Sequence, residues 1–236
     1  MKNPNKITPR LVRSALLLVT AVALGACTPA GQVLFSLIPD GTIPILLSNF
    51  ERESDANRRR VAELERSGDW AGLAKFAEEN LEKHRANGSW WLVAGYAYSR
   101  QKNHARAIEC FRELVRLEPD AADGWNLLAQ EHRLAGDSRR AVTVLTQALT
   151  ALRDAPVTLY LLGESYSDLA QFAPAARAYQ QALNLDAGLM PAWAGLARSH
   201  IKMGRLADAE SVAGAVQSRN PQLAVAIRNE IAGAPR

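Results

Sequence analysis

Cysteine is almost missing from this chain of 236 residues, which has only 2. That excludes a disulfide-stapled scaffold and a four-thiolate zinc site. The spacings that carry common chemistries are missing too. There is no His-Glu-x-x-His, no phosphate-cradling glycine loop, no nucleophile elbow and no Cys-x-x-Cys, so nothing nominates a hydrolytic, nucleotide-binding or redox centre. No large excess of one charge exists either, with 28 Lys and Arg against 24 Asp and Glu. The chain does have an ordinary globular composition, 48% apolar and 22% charged, which excludes a largely disordered chain and supplies one sizeable core or two small ones.

The cationic excess sits at the front. Residues 1–26 carry Lys2, Lys6, Arg10 and Arg13 and no acid, and Ser14 through Ala26 is an uncharged, mostly apolar stretch. A span of the bilayer needs about 20 apolar residues, so a basic head before so short a stretch reads as a secretory signal. The stretch ends Leu24-Gly25-Ala26-Cys27. This resembles a bacterial lipobox, which implies cleavage before Cys27 and lipidation of its thiol. By the same resemblance, Thr28 in place of Asp implies the outer membrane. Cleavage removes the four cations and leaves Lys and Arg equal in number to Asp and Glu, so a nucleic-acid partner loses its electrostatic basis. Cys110 is then left without a partner in the chain and is expected to be a buried small hydrophobe.

A 34-residue period runs along more than half of the chain. Blocks starting at Gly88, Ala122, Pro156 and Met190 align without a gap. Their fourth positions are Trp91, Trp125, Leu159 and Trp193, and their eighth are Gly95, Ala129, Gly163 and Ala197. The eleventh are Tyr98, His132, Tyr166 and His200. The twentieth is always alanine, at Ala107, Ala141, Ala175 and Ala209, and the twenty-fourth are Phe111, Leu145, Tyr179 and Ala213. Trp91, Ala94, Gly95 and Tyr98 make one helical stripe, and Ala107, Phe111 and Leu114 make a second. Small eighth and twentieth residues let the two helices approach, and large fourth and twenty-fourth residues fill the layer between them.

These positions resemble the tetratricopeptide repeat. The resemblance implies an all-α, right-handed superhelix of about five helical hairpins, stacked because no single hairpin buries enough surface alone. The expected organisation is a signal over 1–26, then a lipidated terminus and apolar linker over 27–53. A solenoid comes next over 54–223, with repeats 54–87 (degenerate), 88–121, 122–155, 156–189 and 190–223, and a capping helix closes the chain over 224–236. Within the linker, 33–47 is too apolar for a free tether, and Pro39, Pro44 and the Pro39-Asp40-Gly41 turn exclude a continuous helix. An extended segment laid over apolar surface of the first repeats is expected, with a membrane-proximal or partner-binding strand as the alternative.

In tetratricopeptide proteins the first helix of each pair lines a groove through its second, fifth, ninth, twelfth and thirteenth positions. Carried onto this register, the resemblance nominates Leu92, Asn126 and Tyr160 at the fifth position. It nominates Tyr96, Gln130, Glu164 and Arg198 at the ninth, and Ser99 and Arg133 at the twelfth. The family's dicarboxylate clamp, Lys and Asn at the fifth and ninth positions, is absent. His132 and His200 replace a consensus Tyr, which makes them packing substitutes and not a metal pair. Glu109, Glu113 and Glu118 are read as a solvated face. No catalytic residue, metal, cofactor or small-molecule substrate is expected. The expected partner is a protein or peptide of the envelope, held by a lipoprotein anchored at Cys27 with its solenoid facing the periplasm. In architecture this is similar to the pilotins of type IV pilus secretins. An adaptor for peptidoglycan-modifying enzymes or polysaccharide-export proteins is the alternative.

Overall fold

A computed structural model describes residues 54–234. Residues 1–26, expected as a signal, Cys27 and segment 33–47 lie outside the described residues, which form eleven helices and no strand. In chain order they are α1 (Asp55–Arg66), α2 (Trp70–Lys83), α3 (Gly88–Arg100), α4 (His104–Leu117), α5 (Ala122–Leu134), α6 (Ser138–Ala151), α7 (Pro156–Asp168), α8 (Phe172–Leu185), α9 (Met190–Lys202), α10 (Leu206–Val216) and α11 (Pro221–Ala232). The helices starting at Gly88, Ala122, Pro156 and Met190 begin on the residues that open the four sequence blocks.

Local chemistry marks the helix ends. Ser54, Asp69, Asn87, Asn103, Asp137 and Asn220 each accept a hydrogen bond from a backbone N–H of the adjoining first turn, so a helix-end donor is satisfied six times over. Each hairpin turns at the fifteenth position of its block, always with positive φ: Gly68 (69°), Lys102 (59°), Gly136 (81°), Ala170 (55°) and Gly204 (73°). Glycine takes this conformation freely, whereas Lys102 and Ala170 hold it with a Cβ. The last helix starts three residues before the sequence boundary at 224. Asn220 accepts from the Leu223 N–H at 2.9 Å and Pro221 occupies the first turn, where its missing N–H costs nothing.

The turns between blocks are held by an indole. Trp91 Nε1 donates to the Arg85 carbonyl at 2.8 Å, Trp125 Nε1 to the Pro119 carbonyl at 2.8 Å and Trp193 Nε1 to the Ala187 carbonyl at 2.9 Å. In every case the fourth-position Trp reaches the thirty-second residue of the preceding block. Leu159 has no indole to do this at the third block.

The small eighth-position residues are needed sterically. A Cβ added at Gly95 would lie 2.5 Å from Phe111 Cε1. One at Gly163 would lie 2.6 Å from Tyr179 Cδ1, and one at Gly195 of the next hairpin 2.5 Å from Tyr179 Cζ. Tyr179 thus lies between two backbones from adjacent hairpins, buried to 1% exposure. The core is continuous along the stack. One cluster runs from Val61 through Ala148 and another from Ala129 through Ile227, and both draw on α5 and α6. Cys110 is free and buried in the first cluster, and burial pushes its thiol pKa up to about 12.

First helices pack on first helices of neighbouring hairpins, α5 on α7, α7 on α9 and α9 on α11, while second helices make no contact of comparable extent among the described residues. From α5 onward the stack therefore closes on the side of the first helices and fans out on the other. The result is an α-solenoid whose inner face is built from α1, α3, α5, α7 and α9.

Candidate peptide-binding groove

The structure sorts the nine nominated groove residues into three groups. Leu92 and Tyr160 are core residues, at 3% and 5% exposure. The fifth position puts them on the inward stripe, but neighbours cover them. Tyr160 packs at 6.0 Å between ring centroids on Tyr179, whose bulk reaches across the hairpin, and Leu92 lies within the N-terminal core cluster. Burial, and secondarily the Glu164 carboxylate, raise the Tyr160 phenol pKa. Neither offers a partner the surface that the repeat register implies.

The second group ties hairpins together. Asn126 accepts from Thr158 Oγ1 at 2.9 Å. Arg133, its side chain 16% exposed, donates to Asp168 through Nε at 2.8 Å and through a terminal nitrogen at 3.3 Å, and reaches Glu164 at 3.4 Å. Asp168 also accepts from Ser138 Oγ at 3.0 Å, and Glu164 accepts from Tyr179 Oη at 2.6 Å. One hairpin earlier, Ser99 Oγ donates to Glu131, and His104 Nδ1 lies 2.9 Å from the other oxygen of that carboxylate. Glu131 is 3% exposed. A buried charge such as Glu131 persists only when paired and hydrogen-bonded, and the more open Glu164 and Asp168 add bonds from one first helix to the next. Arg198 is a looser case, 57% exposed and 3.6 Å from Glu230 of α11.

The third group keeps some solvent-accessible surface at its groove positions. Tyr96 is half-buried and meets Trp70 edge-on, 5.8 Å between ring centroids. Gln130 is half-buried. Sequence reasoning missed three residues beside them. Leu134, at the thirteenth position, is 56% exposed at the end of α5. Trp70, the first residue of α2, supports Tyr96. Arg100 lies over the Trp70 ring with its guanidinium carbon 4.7 Å from the centroid, a cation–π arrangement. The thirteenth position is one of those that line the groove in the repeat family, which was signal enough for Leu134 and Arg100. Nothing local marks Trp70. Among the described residues no group of three or more His, Cys, Asp and Glu side chains could hold a metal ion. His132 and His200 are buried and half-buried, and burial lowers the pKa of both, as suits neutral packing groups.

The inner face of repeated first helices carries aromatic, amide and aliphatic side chains, and the stack has the form of an α-solenoid of the tetratricopeptide type. Residues 88–131 and 157–188 each match a tetratricopeptide repeat family model. Among curated proteins the chain is similar to Protein bimA of Emericella nidulans, 27% identical over 155 residues that make up 66% of this chain and 15% of that protein. It is also similar to the tetratricopeptide repeat-containing protein trd-1 of Caenorhabditis elegans, 26% identical over 48% of this chain and 14% of that one. The chain thus spans only a small part of the length of these relatives. Among solved structures it superposes on MamA with a TM-score of 0.59 at 18% identity, covering 73% of this chain and 96% of MamA. PilW, described as a widely conserved type IV pilus biogenesis factor, gives 0.57 at 24% identity, covering 70% and 78%. YrrB, described as having an unusual peptide-binding site, gives 0.57 at 13% identity, covering 78% and 97%. At these identities the shared property is the fold.

Proposed function

We propose that this chain is a lipid-anchored scaffold of the outer membrane. Its solenoid faces the periplasm and holds a peptide segment or subunit of an envelope machine, assisting that machine's assembly. The observation that carries the reading is a pair of features in one chain. A basic, then apolar leader ends in Leu24-Gly25-Ala26-Cys27, and behind it stands a groove whose charged residues are largely paired with one another while Tyr96, Gln130 and Leu134 line its surface. Such a strip suits the backbone and apolar side chains of an extended segment better than an acidic tail. The fold shared with a pilus biogenesis factor makes secretins and pilus subunits the first partners to test. In this reading the chain is a scaffold and not an enzyme.

The test is affinity capture of the tagged protein from cross-linked envelopes, with partners identified by mass spectrometry. A secretin or pilus subunit as leading partner, lost in a Tyr96→Ala, Gln130→Ala, Leu134→Ala triple variant that keeps its helicity, is the expected result. Peptidoglycan enzymes or polysaccharide-export proteins would instead make the chain an adaptor. Capture undiminished by the triple variant would move the site out of the groove. Cys27→Ser is expected to release the protein from the membrane fraction, and a variant that stays bound would overturn the anchor.

A further inference from the structure

The charges of the inner face cancel one another until α9. That helix carries two cations there, Arg198 at the ninth position and Lys202 at the thirteenth, both exposed. Side chains four residues apart share one helix face, and the helical rise sets their backbones about 6 Å apart. The Tyr160 phenol of α7, raised mainly by burial, is pulled the other way by the charge of Arg198, so the guanidinium lies on the inward side of α9, towards α7. One turn before Arg198 stands Ala194, a methyl where the other blocks have Leu92, Asn126 and Tyr160.

The carboxylates that could neutralise this pair are committed elsewhere. From residue 156 to 234 the acidic residues are Glu164, Asp168, Asp186, Asp208, Glu210 and Glu230. On α7, the oxygens of Glu164 accept from Tyr179 and Arg133, and those of Asp168 from Arg133 and Ser138. Asp186 accepts from the Gly188 N–H at 2.8 Å in the turn before α9. Asp208 pairs with Arg205 at 2.7 Å and Glu210 with Arg228 at 2.8 Å. Glu230 remains, 3.6 Å from Arg198 with the two side chains 57% and 47% exposed, and so open a pair contributes little. Lys202 takes part in no ion pair among the described residues.

We propose that Arg198 and Lys202 form a seat for one acidic side chain of the bound segment. The trough runs across the first helices, so a segment lying in it crosses α9 between the two cations. An aspartate or glutamate at that point meets the guanidinium fork on one side and the ammonium on the other, with Glu230 giving way. Over α7 a further acid would face Glu164 and Asp168, and like charges there select against it. The preferred guest is therefore an uncharged stretch with a single acid, not an acidic tail. This rests on the groove being the binding surface and adds the charge that its guest must carry.

The experiment pans a phage-displayed library of random decapeptides, which have no free C-terminus, on the immobilised full chain in detergent. Asp and Glu together are expected at least five-fold above the input library at one aligned position. The enrichment should vanish in an Arg198→Ala, Lys202→Ala variant of unchanged circular dichroism. In an Arg198→Glu, Lys202→Glu variant, Lys and Arg should take its place. A selected peptide made as the C-terminal amide should bind at least ten-fold more weakly once its acid is changed to the amide, and more weakly at high salt. Retained peptides without acidic enrichment, or equal enrichment on the alanine variant, would overturn the proposal. A neutral peptide that regains full affinity through a free C-terminus would also overturn it, assigning the seat to a chain end. Failure here is distinguishable from failure of the scaffold reading. Peptides retained without an acid, while envelope capture still depends on Tyr96, Gln130 and Leu134, remove only the carboxylate seat. The expected enrichment without any envelope partner removes only the scaffold.

Discussion

Replacing Gly163 by alanine tests the packing logic of the whole stack. A methyl at Gly163 would sit 2.6 Å from Cδ1 and Cε1 of Tyr179 and 2.9 Å from Cζ. Carbon atoms are comfortable at about 3.5–4.0 Å, so the overlap is about 1 Å over three ring atoms. The ring has no direction of escape. Gly195 of the next hairpin backs it so closely that a Cβ there would lie 2.5 Å from Cζ, and its hydroxyl is held by Glu164 at 2.6 Å. Two effects oppose. Alanine in place of glycine within a helix stabilises by about 1 kcal/mol, while an extra carbon in a filled core costs about 1–3 kcal/mol. With the ring pinned on both sides the cost is expected at the top of that range, for a net loss of about 2 kcal/mol. Urea unfolding monitored by helical circular dichroism measures it. In a Tyr179→Leu background the overlap disappears, so Gly163→Ala should then stabilise by about 1 kcal/mol, and the coupling between the sites should be about 3 kcal/mol. A Gly163→Ala protein that unfolds at higher urea than the unsubstituted chain would refute the reasoning.

Three more outcomes are expected. Lys102 and Ala170 occupy the left-handed turn position that glycine fills elsewhere, so Lys102→Gly and Ala170→Gly should each raise stability by about 1 kcal/mol, and Gly136→Ala should lower it by a similar amount. Thermal melts of the three variants check the signs. Trp125→Phe removes the indole bond to the Pro119 carbonyl and should cost at least about 1 kcal/mol, with faster amide exchange in the turn before α5. Burial lowers the His132 pKa, so the folded state keeps it neutral where the unfolded chain would take up a proton. Its contribution is therefore complete above the unfolded value, about 6.5, and stability falls as pH drops from there toward the lower folded value. His132→Tyr, which restores the residue typical of that position, should make the fall in melting temperature between pH 7 and 5 shallower, leaving the share due to His200, whose pKa burial also lowers.

How much of this protein was legible in the sequence depends on the range of the forces involved. The period, the small residues at the eighth and twentieth positions and the turn at the fifteenth act within one hairpin, over contacts at most a few turns apart. A linear pattern can therefore record them, and the helix starts at Gly88, Ala122, Pro156 and Met190 agree with it. Even Lys102, without a glycine to announce it, is placed in its left-handed turn by its neighbours.

The candidate site was only half legible, because a groove side chain's fate is decided by the second helix of its own hairpin and by the hairpin beside it. Register says that Tyr160 and Arg133 point inward, but not that Tyr179 reaches across to cover the first or that Glu164 and Asp168 pair with the second. Trp125 could be read as a layer-filling residue, whereas its bond to the Pro119 carbonyl depends on how the chain enters α5. Leu134 stays exposed and Leu92 does not, although both occupy groove positions, because burial is the sum of what all neighbouring helices bring to a point. The repeat itself is written along the chain. Which inner-face side chains a partner can reach was decided only when the hairpins stacked, since the pairs that tie the inner face together, Arg133 with Glu164 and Asp168 and Asn126 with Thr158, join residues some thirty or more apart.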